Sequence, residues 1–206
     1  MKKIIAVLAL GLSCHPAWSL TPAEKLKQLQ ANKATQASAV DSGRRLAAFC
    51  FNCHGEDGNS KQPDVPNLAG QNAAYLLEQI RKFSTGERRN EFMQGLIKAL
   101  PDDDRVNVAI FFAAQTLKPS TAKAGASEAP GKEIYGKVCT PCHGPAGHGN
   151  ETIPHLAGQQ REYLVKSLLR YRANTGERRD KGMTEVATKL GETDIRHVAA
   201  YLSAMN

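Results

Sequence analysis

Apolar positions along this chain recur at three- and four-residue steps, and they do so in two separate stretches. Tyr75, Leu76, Gln79, Ile80 and Phe83 keep that spacing, which predicts a helix over about Asn72 to Phe83. Gly86 is placed to end it, because a residue without Cβ accepts the left-handed conformation cheaply. Val106, Ala109, Ile110, Phe112 and Ala113 predict a later helix that starts near Pro101 and Asp102, with the Asp102 carboxylate as its cap. A helix over Asp41 to Cys50 puts Leu46 one turn before Cys50 on the same face. Gly55 to Pro66 is a loop rich in Gly, Asp, Asn and Pro, and a second polar loop is expected to carry Met93. The expected fold class is all-α.

After Leu117 the periodicity stops. The stretch LKPSTAKAGASEAP, Leu117 to Pro130, is a linker by composition. Then the pattern restarts with Ile134, Tyr135 and Val138. Pro154-His155-Leu156-Ala157-Gly158-Gln159 answers Pro66-Asn67-Leu68-Ala69-Gly70-Gln71 at an offset of 88 residues, as Tyr163-Leu164 answers Tyr75-Leu76. Thr175 to Arg179 answers Thr85 to Arg89, Met183 answers Met93 and Tyr201 answers Phe111, all at 90. The offset slips only in loops or at a helix end, the mark of one domain duplicated in tandem. The expected organisation is residues 1–19 as a signal peptide, 20–40 as an N-terminal extension, 41–117 as domain 1, 118–130 as linker and 131–206 as domain 2. Thr21 to Val40 has Leu26 and Leu29 as its only large aliphatics before Val40, so a solvated extension is expected in preference to a docking helix.

The most specific repeated element is Cys50-Phe51-Asn52-Cys53-His54, answered by Cys139-Thr140-Pro141-Cys142-His143 at an offset of 89. Cys-x-x-Cys-His is the spacing of covalent c-type haem attachment. Cys50 and Cys53, then Cys139 and Cys142, form thioethers with the two vinyl groups, and His54 and His143 stand over the iron as proximal ligands. Two covalently bound haem c groups are therefore expected. Each repeat is under 80 residues, a size at which a protein core alone is marginal. A buried porphyrin supplies the missing apolar surface, so the apo-domains should fold poorly.

The opposite face of the iron needs a second ligand. Between Asp41 and Leu117 the only unused candidate is Met93. In the second repeat His148, His155, His197, Met183 and Met205 compete, and only Met183 has a chemically competent counterpart in Met93. Met93 and Met183 are the expected distal ligands, against a reading of both as ordinary core packing. A neutral thioether favours reduced iron, which points to reversible one-electron transfer and no enzymatic role. A metal-bound imidazole usually donates its other N–H, and the Pro66 and Pro154 carbonyls are the natural acceptors. Arg88, Arg89, Arg178 and Arg179 are either propionate partners or a solvated charge run. Tyr75 and Tyr163 are expected to pack in the haem pockets, with hydroxyls bonded to a propionate or across the domain interface.

Charge and export narrow the picture further. Lys2 and Lys3, the apolar run Ile4 to Leu12, and Ala17-Trp18-Ser19 read as a signal peptide cleaved after Ser19, which places the mature protein in the periplasm. Cys14 makes a weak lipoprotein site, with Gly11 unsuited to its position. Removing Lys2 and Lys3 from 27 basic residues leaves 25 against 20 acidic ones, a charge of +5, and four propionates nearly cancel it. Dispersed basic residues in an exported chain oppose nucleic-acid binding. No later apolar stretch approaches the roughly 18 residues of a span, so membrane association is peripheral at most.

These paired motifs resemble those of dihaem class I cytochromes c of the cytochrome c4 type, over about Asp41 to Asn206. The resemblance implies two class I cytochrome c domains facing each other across a pseudo-twofold axis, with propionates near the interface. It implies a crossing of first and last helices, mapped onto Leu46 with Phe111 and Tyr135 with Tyr201. It also implies a periplasmic carrier, expected as a monomer, passing electrons from the cytochrome bc1 complex toward a terminal oxidase. Two other readings stay open. One is a dihaem redox subunit docked to a periplasmic dehydrogenase through Thr21 to Val40, and the other a dihaem peroxidase.

Overall fold

The computed structural model describes residues 20–118 and 128–205. The expected signal segment and most of the expected linker lie outside these. Among the described residues the regular structure is helical throughout, and no helix is long and apolar enough to cross a membrane.

The first half contains α1 (Pro22–Gln30), α2 (Lys33–Leu46), α3 (Phe51–His54), α4 (Ala73–Thr85), α5 (Glu91–Lys98) and α6 (Asp102–Ala113). The second contains α7 (Glu128–Ile134), α8 (Thr140–His143), α9 (Arg161–Ala173), α10 (Lys181–Thr188) and α11 (Glu192–Ala204). Every helix from α7 onward repeats a helix of the first half in order.

In each half the helix before the Cys-x-x-Cys-His segment crosses the last helix, α2 on α6 and α7 on α11. A glycine sets the closeness of each crossing. A Cβ on Gly43 would stand 2.1 Å from the Asn107 carbonyl oxygen and 2.6 Å from Phe111 Cβ. On Gly131 it would stand 2.2 Å from the His197 carbonyl oxygen and 2.8 Å from Tyr201 Cβ. The expected partners meet at the same place: Phe111 is buried, and the Tyr135 and Tyr201 rings lie 5.6 Å apart.

Three expectations change. The segment Thr21 to Val40 is no solvated tail, because Thr21 caps α1 in a capping box, Asn32 caps α2, and α1 packs on α2, α4 and α6 with Leu26 only 3% exposed. Two spaced leucines suffice because α6 is apolar nearly all round, burying Val106, Val108, Ile110, Phe111 and Phe112, and needs a cover on a second side. Helix α2 also starts at Lys33, so it runs unbroken through position 41. The residue capping α6 is Pro101, without a side-chain bond, and the Asp102 carboxylate pairs with Arg105 instead.

Candidate haem sites and the interface between them

His54 and His143 close the short helices α3 and α8 and are both buried. The next residue, Gly55 (φ 81°) or Gly144 (φ 74°), takes the positive φ that turns the chain away. His54 Nδ1 lies 2.9 Å from the Pro66 carbonyl oxygen, and His143 Nδ1 lies 3.2 Å from that of Pro154. A carbonyl only accepts, so each Nδ1 carries the proton and each Nε2 keeps a free lone pair. Burial pushes the pKa of both imidazoles down, which keeps them neutral. Cys50, Cys53, Cys139 and Cys142 are free thiols. Burial pushes the Cys50 thiol up and raises Cys139 to about 11, the opposite of what a thiolate ligand or redox pair requires.

The methionines are placed differently from the expectation. Met93 and Met183 lie in the first turns of α5 and α10, not in loops. Asn90 Oδ1 accepts the Met93 N–H at 3.0 Å, and Asp180 Oδ1 accepts the Met183 N–H at 2.9 Å. Each sulfur is thus carried on a capped turn whose backbone is fixed. Asn and Asp three residues before the methionine were the sequence signal for these helix starts. His148 is exposed, and His155 and His197 are half-buried.

The repeated Pro-x-Leu-Ala-Gly-Gln segments tie each site to its surroundings residue by residue. The proline carbonyl orients the histidine. The leucine N–H binds the Gly58 or Gly147 carbonyl at 2.7 Å, and the glycine N–H reaches the last helix at Phe112 or Leu202. The glutamine crosses to the other domain. Gln71 accepts the His155 N–H at 2.8 Å and donates to the His155 carbonyl at 2.9 Å. Gln159 does the same to Asn67, at 2.7 and 3.0 Å. This reciprocal clamp marks a pseudo-twofold axis between the domains. Asn72 adds a bond to the Ile153 carbonyl, Gln160 one to Ser60, and Lys166 an ion pair with Asp64.

The two tyrosines and two of the four arginines meet at the same interface. Arg88 donates to the Tyr163 hydroxyl at 3.2 Å; Arg178 donates to it at 3.0 Å and to Tyr75 at 3.3 Å. Arg178 is buried, whereas Arg89 and Arg179 face solvent. Among the described residues neither Arg88 nor Arg178 pairs with a carboxylate. Burial raises Tyr75 to about 12, but for Tyr163 the Arg178 and Arg88 guanidiniums outweigh burial and bring the phenol down to about 7. A buried cationic pair that draws on a phenol for its anion is a site built for carboxylates from elsewhere.

The comparisons with known proteins agree with this geometry. The family model described as Cytochrome c matches twice, over residues 40–111 and 128–206. The chain belongs to the cytochrome c family, as a dihaem protein of the cytochrome c4 type. It is 36% identical to a cytochrome c4 of Pseudomonas aeruginosa over 185 residues, covering 84% of this chain and 92% of that one. It superposes on the crystal structure of reduced recombinant cytochrome c4 from Pseudomonas stutzeri with a TM-score of 0.75 at 33% identity, covering 81% of this chain and 98% of that one. It is also 31% identical to a thiosulfate dehydrogenase electron acceptor of Stutzerimonas stutzeri, over 85% of this chain and 88% of that one. The two cytochrome c domains bind two haem c groups and make this an electron-transfer protein. The residues present fit that cofactor: free paired thiols, a neutral imidazole with an unused Nε2 beside them, and carboxylate-hungry guanidiniums between the domains.

Proposed function

We propose that this cytochrome is a periplasmic one-electron carrier working between the cytochrome bc1 complex and a terminal oxidase, and not an enzyme. Cys50 and Cys53, and Cys139 and Cys142, form the thioethers; His54 with Met93, and His143 with Met183, are the axial ligands. When bound, each haem supplies reversible one-electron chemistry at a potential held high by the thioether. The chain's part is positional. The Pro66 and Pro154 carbonyls fix tautomer and ring plane, the Asn90 and Asp180 caps hold the methionine turns, and Arg88 and Arg178 receive the propionates. Residues 1–19 direct export and are removed near Ser19, and residues 118–130 link domains of 41–117 and 131–206 in a monomer.

The observation that carries this reading is the duplication of the whole arrangement, from orienting carbonyl to capped methionine turn. Two matched distal residues leave neither domain with the open face a peroxidase requires. The test is a redox titration with optical spectra of wild type, Met93→Ala and Met183→Ala. Each substitution should abolish the weak red-end iron–sulfur band and lower the potential of one haem, leaving the other as before. Unchanged spectra in either variant would remove that methionine from the ligand set.

A second reading is favoured by the likeness to a thiosulfate dehydrogenase electron acceptor: a carrier dedicated to one periplasmic dehydrogenase. Thr21 to Val40 is a poor docking tail for it, since its apolar side is already spent on domain 1. Co-purification with a dehydrogenase that survives deletion of neither domain surface would favour this reading over a free carrier.

A further inference from the structure

The two haem sites are built alike, yet their rims differ. Phe49, 68% exposed, directly precedes Cys50, and Phe92, 63% exposed, directly precedes Met93. At the matching positions the second domain has Val138, 41% exposed, and Gly182. A fold that manages with valine and glycine in one copy does not require two solvent-facing phenylalanines in the other. Exposed aromatic rings beside a functional group mark a surface that is covered in use.

The charges around the rings differ too. Arg44 and Arg45 lead into Phe49 and Arg89 into Phe92; all three are exposed, and none forms an ion pair among the described residues. The second domain has Glu133 and Ile134 in place of Arg44 and Arg45, and Glu133 is neutralised by Lys137 at 2.6 Å. The first rim is therefore apolar with unspent positive charge, and the second is neither.

We infer that Phe49 and Phe92, collared by Arg44, Arg45 and Arg89, are the face on which domain 1 receives a redox protein whose cofactor edge is apolar and ringed by carboxylates. The charges steer the encounter and the rings give a dry contact that brings the two cofactor edges together without a long-lived complex. This rests on the electron-carrier reading and on Cys50 and Met93 gripping one porphyrin, so that both rings border it.

The test uses the holoprotein and two oxidants, hexacyanoferrate and an acidic plastocyanin, in stopped flow at low and high salt. The double variant Phe49→Ser/Phe92→Ser should lose about tenfold or more in second-order rate with plastocyanin, and Val138→Ser less than about twofold. The double variant should keep its optical spectrum and its rate with hexacyanoferrate. Arg45→Glu should flatten the salt dependence of the plastocyanin rate. Equal losses in the double variant and Val138→Ser, or no loss in either, would overturn the assignment. A shifted iron–sulfur band in the double variant would place the rings inside the haem pocket and overturn it as well. Wild-type protein unable to reduce hexacyanoferrate would instead sink the carrier reading itself.

Discussion

The side-chain amide of Gln159 closes on both backbone groups of Asn67, accepting the N–H at 2.7 Å and donating to the carbonyl at 3.0 Å. Gln71 makes the same pair with His155, so the domains are joined by two copies of one side-chain-to-backbone clasp, all four residues at or near full burial. Truncating one glutamine strands a buried donor and a buried acceptor in the opposite domain. Gln159→Ala should destabilise the interface by about 2–4 kcal/mol. The expected readout is faster hydrogen exchange at the Asn67 amide, and guanidinium unfolding that separates into one transition per domain.

Much of this site was legible from repetition alone. Pro66 and Pro154 stood out as acceptors because a ligand histidine needs one and each proline ends the loop after its histidine. Tyr75 and Tyr163 were readable as interface candidates for a similar reason. The role of Gln71 and Gln159 was hidden, because a glutamine that satisfies another domain's backbone leaves no periodic trace in its own. Leu26 was underweighted for a related cause: helix α1 is weakly apolar, and what holds it is the surplus apolar surface of α6. The methionine turns were missed by treating short polar stretches as loops, although Asn90 and Asp180 sit where helix caps belong.

Gly43 and Gly131 show the same blindness and carry a prediction. Nothing nearby in sequence announces a crossing point, but an added methyl on Gly43 would sit 2.1 Å from a backbone oxygen on α6. Backbone cannot move aside as a side-chain tip can. Gly43→Ala and Gly131→Ala should each cost about 3 kcal/mol or more, well beyond ordinary overpacking. Gly136 has nothing within 4 Å of a built Cβ, so Gly136→Ala should be near neutral. Thermal unfolding of the three holoproteins gives the comparison.

Asn90 and Asp180 each hold the N–H of a methionine, which links helix stability to the metal site. Removing such a cap costs about 1 kcal/mol of helix stability. That loss falls on the turn presenting the sulfur, so Asn90→Ala should lower the temperature at which the first haem loses its red-end iron–sulfur band. Asp180→Ala should do the same for the second haem, each without effect on the other. Asp180→Asn keeps an acceptor of the same shape, as Asn90 already does in domain 1, and should restore most of the loss. A change confined to global unfolding, with the band unaffected below it, would show that the caps serve the helices and not the ligands.

His155 occupies in domain 2 the place of Asn67, and its ring lies 4.8 Å from that of His148. Burial pushes the His155 pKa below the ordinary histidine value and the neighbouring His148 pushes it the same way, while the Gly70 carbonyl pulls it back only in part. The unfolded chain therefore takes up a proton on His155 at a higher pH than the folded protein does. Stability from this residue is complete above the unfolded value of about 6.5 and drains away as pH falls toward the folded one. The loss appears at the interface, because the same residue's backbone is held by Gln71. His155→Asn copies the domain 1 arrangement, in which the amide of Asn67 bonds the Gly158 carbonyl at 3.0 Å and carries no titrating group. Melting temperatures between about pH 5 and 7.5 should fall more steeply for wild type than for His155→Asn, with the two curves meeting near neutrality. Parallel curves across that range would mean that the imidazole is solvated and the clasp indifferent to its charge.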